Sequence, residues 1–93
     1  EAKQELKSMI ARYNVLQEGL GEKVYDEILQ NLTYLKTMPF ICPEKYKRIR
    51  ILYTKKYKMA VYYVIFEEER AVAVYSFLHQ KEDPKKVFNR ISF

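Results

Sequence analysis

Apolar residues recur every three to four positions through the first third of the chain. Ala2, Leu6, Met9, Ile10 and Tyr13 form one stripe; Val24, Tyr25, Ile28, Leu29, Leu32 and Leu35 form a second. That period sets each stripe along one side of an α-helix. Gly19 and Gly21 lie between the stripes, so a short turn brings the second helix back antiparallel to the first. Pro39 ends the second stripe, because a proline pushes the residue before it out of the helical region.

Beyond Pro39 the period falls to two. The segment Phe40 to Pro43 (FICP) reads as a loop. Over residues 46–54, Ile49 and Ile51 alternate with Arg48 and Arg50, which predicts a strand with one apolar and one cationic face. Residues 58–67, KMAVYYVIFE, are a dense β-branched and aromatic run of the kind a central strand carries. Glu67 to Arg70 makes a charged turn, and residues 71–79, AVAVYSFLH, a third strand. Short turns join these strands, so they should pair as an antiparallel meander. After Asp83-Pro84, Lys85 to Arg90 reads as a short helical or irregular tail. Helices followed by strands predict an α+β domain with the helices on one face of the sheet. With Ile49 and Ile51 turned to the core, Arg48 and Arg50 should lie on the opposite, open face.

Charge sharpens this picture. The net charge is +5, but residues 1–39 sum to −1, residues 40–66 to +6 and residues 67–93 to zero. Lys45 to Lys58 alone holds seven of the seventeen basic side chains and no acid. A rigid cationic surface meets phosphate or acidic protein. Ninety-three residues form one domain, and 48% hydrophobic residues argue against disorder. No stretch reaches the roughly 18 apolar residues of a membrane span, and no secretory signal is visible at the start. Cys42 and His79 are the single cysteine and the single histidine, so neither an internal disulfide nor a Cys/His zinc site can form. No carboxylate pair has metal-site spacing. The expectation is a cytoplasmic domain without metal or cofactor.

Two helices, a basic strand, then YKMAVYYVIFEEE and AVAVYSFLHQKEDPKK make a chain that resembles the RelE/ParE toxin superfamily of bacterial toxin–antitoxin systems. Tyr57 to Lys86 carries the resemblance most specifically. It holds the aromatic strand, the acidic turn and a valine-rich strand ending in a His-x-x-x-Asp-Pro pattern at His79 to Pro84. The opening EAKQEL is similar to the family's first helix, and the resemblance spans nearly residues 1–93. The family places a short strand before that helix; a chain starting at Glu1 without one fits a segment upstream.

The resemblance implies an α+β fold of two N-terminal helices packed on one face of a three- to four-stranded antiparallel sheet. It implies a toxin held by a cognate antitoxin, in a complex such as a heterotetramer. Family members differ in mechanism: some cut messenger RNA on the ribosome, and others bind DNA gyrase without being nucleases. A third class of relative keeps only antitoxin binding. The expectation taken here is ribosome-dependent mRNA cleavage by a metal-independent endoribonuclease, with gyrase inhibition as the alternative.

Metal-free RNA cleavage needs a proton acceptor for the 2′-hydroxyl, stabilisation of charge on phosphorus, and a proton donor for the leaving oxygen. The residues matched to catalysis are Arg50, Lys58, His79 and Lys81; those matched to RNA binding are Lys47, Arg48, Lys56 and Arg90. Phe88 and Phe93 are candidate base-stacking side chains. Each has a plainer reading. Lys58 suits a strand-edge lysine that discourages aggregation, and His79 suits a histidine that hydrogen-bonds the Asp-Pro turn. No tyrosine follows Tyr75, and Gln80 and Lys58 stand where the nucleases carry arginine. The matched nuclease set is therefore incomplete.

Overall fold

A computed structural model of the protein describes residues 2–90. Two helices, α1 (Ala2–Leu16) and α2 (Leu20–Thr37), lead through a 3-10 turn at Pro39–Ile41 into a four-stranded sheet. The strands are β1 (Glu44–Tyr46), β2 (Ile49–Tyr53), β3 (Met59–Phe66) and β4 (Ala71–His79), and a one-turn helix α3 (Lys85–Phe88) follows. The sheet order is β1-β2-β3-β4, every pair antiparallel. The α+β layout and the meander expected from the sequence are both present.

Both glycines shape the helical hairpin. Gly19 sits at φ 83°, a left-handed conformation that costs glycine little. Gly21 lies so close to the Ile10 carbonyl of α1 that a Cβ would collide with it. Its N–H is taken by Asn14 Oδ1 at 2.8 Å, which satisfies one of the free donors at the start of α2. The two helices therefore approach closely beside their connection and carry one apolar face down to the sheet.

That face meets the sheet through Met9, Val24, Ile28, Met59, Val61 and Phe77, all buried. A second core lies on the other side of the sheet, built from Ile49, Ile51, Tyr62, Val64, Leu78 and Val87. Met59 to Val64 are buried without interruption, which follows when a strand is covered on both faces. The KMAVYYVIFE run had no clean alternation for that reason.

Two expectations are corrected here. The alternating segment 46–54 is not one strand: Tyr46 pairs with Ile49 across a tight turn at Lys47–Arg48, so its first part belongs to β1. More important, Ile49 and Ile51 face away from α1 and α2, into the core that α3 closes. Arg50 pairs with Tyr63, and Leu52 with Val61, on the helix side of the sheet. The cationic side of β2 is thus not an open face opposite the helices.

Each of the three turns between strands holds a basic residue in the left-handed region: Lys47 at φ 53°, Lys58 at φ 57° and Arg70 at φ 53°. That conformation is uncommon for residues with a Cβ and costs about 1 kcal/mol each. A register shift between Tyr62 and Tyr63 leaves Tyr75 as an extra residue in β4, a bulge. No helix among the described residues is long and apolar enough to cross a membrane.

Candidate functional site

The basic residues sort into two groups. One group gathers where β2 turns into β3 and where β4 ends. Met59 pairs with His79, and Gln80 N–H donates to the Lys58 carbonyl at 2.8 Å, so Lys58, His79 and Lys81 share one corner of the sheet. Lys56 lies on the loop that forms the same corner. Lys56, Lys58 and Lys81 are exposed. The Gln80 side chain holds the corner closed by donating to the Thr54 carbonyl at 2.9 Å.

This loop is anchored from beneath. The Glu27 carboxylate on α2 accepts the backbone N–H groups of Lys56 at 2.8 Å and Tyr57 at 3.1 Å. Thr54 Oγ1 accepts the Met59 N–H at 2.9 Å. A loop this rich in lysine is thereby held in one shape by an acid that a reading of local sequence does not connect to it. Lys56 Nζ also lies 5.4 Å from the centre of the Tyr57 ring.

His79 is tied into the turn that follows it. Its Nδ1 accepts the Lys81 N–H at 3.1 Å, and its own N–H donates to Glu82 Oε2 at 3.1 Å. A neutral imidazole whose Nδ1 is an acceptor carries its proton on Nε2. In that tautomer the ring can donate a hydrogen bond but has no free nitrogen to accept a 2′-hydroxyl proton. Burial pushes the Glu82 carboxyl up, yet the Lys86 ammonium and the His79 N–H outweigh it and hold Glu82 below its ordinary pKa. A cleft of about 510 Å³ opens beside the corner, bounded by Arg12, Tyr13, Met59, His79, Lys81 and Glu82.

The second group sits on the β1–β2 hairpin, where Arg50 is bound into the protein and Lys47 and Arg48 stay exposed while contacting it. Arg50 is 14% exposed in its side chain. Its Nη1 donates to the Cys42 carbonyl at 2.6 Å, its Nη2 lies 3.6 Å from Glu44 Oε2, and its guanidinium is 5.1 Å from the Phe40 ring centre. Arg48 donates to the Ile65 carbonyl at 3.2 Å and lies 5.3 Å from the Phe66 ring centre. It borders a cleft of about 460 Å³ whose rim is the acidic turn Glu67–Glu69. Lys47 lies over the Tyr46 ring at 5.5 Å.

The tail is equally engaged. Arg90 Nη2 is 3.5 Å from Glu5 Oε2 on α1. Phe88 stacks on Tyr46 with ring centres 4.7 Å apart and meets Tyr62 edge-on at 6.2 Å, so it packs α3 to the sheet instead of being offered to a base. Phe93 lies outside the described residues. Tyr63 donates to the Pro39 carbonyl at 2.9 Å, and burial, with the Cys42 thiol next, pushes its hydroxyl pKa upward. Burial likewise raises Tyr62 to about 12.

The two groups are far apart. Arg50 is level with Tyr63, four residues along β3 from Met59, about 13 Å at strand rise. Arg48 reaches Ile65, about 20 Å from Met59 by the same measure. One phosphate cannot be gripped by both groups. Arg12, Glu27 and Glu82 are the residues of the corner that sequence reading missed. Arg12 and Glu27 come from helices remote in sequence, which no local spacing could have joined to the corner, whereas Glu82 lies beside Lys81 in the chain. No cluster of His, Cys, Asp and Glu suited to a metal occurs among the described residues.

Comparison of the chain with protein-family models, curated proteins and solved structures finds no match in any of the three.

Proposed function

We propose that this chain is the toxin component of a type II toxin–antitoxin pair of the RelE/ParE kind, and that it acts by binding its target through the cationic corner. The carrying observation is the division of the basic residues. Lys56, Lys58 and Lys81 are exposed on a braced loop and turn, while Arg50 is enclosed by a backbone carbonyl, an acid and a ring, and Arg48, though exposed, is tied to the Ile65 carbonyl. Exposed cations on a braced loop suit an acidic surface or a nucleic-acid backbone, and the brace spares the loop backbone its ordering cost on docking. DNA gyrase as target and an acidic antitoxin segment as the neutralising partner both fit such a surface.

Ribosome-dependent mRNA cleavage is the second reading. It is favoured by the proximity of His79 to Lys58 and Lys81, which would put charge stabilisation and a titratable ring at one place. Its demand is that His79 release the Lys81 N–H or act only as a donor.

Controlled expression separates the two. Binding to gyrase lowers plasmid supercoiling and raises the DNA-damage response while messenger RNA stays intact. Prompt ribosome-dependent mRNA cleavage with supercoiling unchanged would replace the binding reading with the nuclease one. Growth and both readouts unaffected at high expression would remove the toxin reading altogether.

A further inference from the structure

The two edges of the sheet are built differently. The β1 edge is three residues long, exposed, charged at Glu44 and Lys45, and irregular in register. Short, charged, bulged edges resist pairing with another strand. The β4 edge is nine residues long, and AVAVYSFLH contains no Asp, Glu, Lys or Arg.

Half of that edge is closed by side chains. Gln80 N–H points inward to the Lys58 carbonyl, so by alternation Phe77 and His79 point outward. Each outward N–H is taken by a carboxylate: Phe77 by Glu5 at 3.3 Å and His79 by Glu82 at 3.1 Å. Ser76 Oγ also donates to Glu5 at 2.8 Å, and Glu5 is paired with Arg90. This clasp covers the edge from Ser76 onward.

The other half is open at Val72 and Val74. The bulge at Tyr75 resets the alternation, and Ala73 and Ala71 stand opposite Val64 and Phe66. Val72 and Val74 therefore direct their N–H and C=O groups away from the sheet, and neither N–H has a hydrogen-bond partner among the described residues. Ala71 is exposed, and Val72 to Tyr75 are only half-buried.

We infer that this half-edge is a homodimer interface, in which β4 of a second copy of the chain pairs antiparallel about a two-fold axis at Ala73. In that register Val72 faces Val74 of the second copy and Val74 faces its Val72. Each of the two pairs exchanges two backbone hydrogen bonds, and the sheets merge into one of eight strands. The register is self-complementary, as a two-fold interface requires. It is also complementary in charge. Arg70 falls opposite Ser76 of the second copy, next to the Glu5 carboxylate that Ser76 and Arg90 already engage and that Arg70 would share, and the two-fold repeats the contact. The covered segment is short, so the dimer is of the small, weak class. This inference does not depend on the proposed toxin function.

The test is sedimentation equilibrium of the full-length protein up to about 100 µM, a range suited to small interfaces, with amide hydrogen exchange read residue by residue. The expected result is a monomer–dimer equilibrium in which the Val72 and Val74 amides slow as concentration rises. V72P removes an outward donor without touching the inner ladder and should give a folded monomer. R70E leaves the backbone donors in place and should weaken the dimer at least tenfold, which serves if V72P fails to fold. A monomer throughout the range overturns the inference. So does a dimer in which R70E has no effect and these two amides exchange freely, and so does an edge occupied instead by a strand of another protein.

Discussion

Arg50 and Lys58 are cations eight residues apart in one basic run, and the fold treats them in opposite ways. Arg50 is enclosed by the Cys42 carbonyl, Glu44 and the Phe40 ring, so its charge joins the β1–β2 hairpin to the chain leaving α2. Lys58 is exposed and sits at φ 57°, where a side chain destabilises the turn. A cation that holds structure together is unavailable to a ligand. One that the fold carries at a cost has its charge free for a partner, and strained positions of this kind concentrate at functional sites. Counting basic residues along the sequence could not distinguish the two.

The contrast can be broken most forcefully at Arg50. Arg50→Ala leaves the Cys42 carbonyl and Glu44 without their guanidinium and should destabilise the protein by about 2–3 kcal/mol. For a domain of this size that is a fall in Tm of about 10 °C or more, measured by thermal melting. Lys81→Ala, at the exposed corner, should change stability by no more than about 0.5 kcal/mol while weakening target binding. Equal melting temperatures for the two variants would show that Arg50 is not structural.

Glu27→Gln tests whether the corner is braced. The loop loses the charge on the acceptor of two backbone N–H groups, worth about 1 kcal/mol. Hydrogen exchange at Lys56 and Tyr57 should quicken well before global unfolding. Lys58→Gly acts in the other direction. It relieves the left-handed strain and should raise stability by about 1 kcal/mol, yet lower target binding because the charge is gone. A variant that gains stability and loses binding would separate the two roles at one position.

Alkaline pH probes the core between the two groups. Tyr62 is raised to about 12 in the folded protein by burial, above the value of roughly 10 for an unperturbed tyrosine. The unfolded chain then binds fewer protons than the folded one, so stability falls as pH rises. The contribution is fully present below about pH 10 and is lost as pH rises towards 12. Denaturation followed by tyrosinate absorbance should show this limb, and Tyr62→Phe should reduce it. His79→Ala carries the smallest expected effect, about 0.5 kcal/mol from the freed Lys81 N–H. Target inhibition should persist in that variant, whereas the nuclease reading requires it to fail.

Periodicity sufficed for much of the fold. The two helical stripes became α1 and α2, and the aromatic and valine-rich runs became β3 and β4 close to their expected limits, while the alternating segment is divided between β1 and β2. Those signals are legible because burial repeats with the period of the backbone. The Lys47–Arg48 turn was not legible, since it lacks the Gly, Asn or Asp that such turns usually carry. The candidate site divides along the same line. The family resemblance singles out Lys58, His79 and Lys81, and strand pairing does bring them together.

What the sequence by itself determined was the order of elements, the one-domain scale and the concentration of charge in the middle third. Tertiary structure alone decided which side of the sheet each cation takes. An alternating strand has an apolar face whichever way it is turned, and only α3 and Phe88, packing on the far side, reveal that Ile49 and Ile51 face away from the two long helices. That single rotation puts Arg50 inside, beneath Phe40, while Lys56, Lys58 and Lys81 stay exposed at the far corner of the sheet.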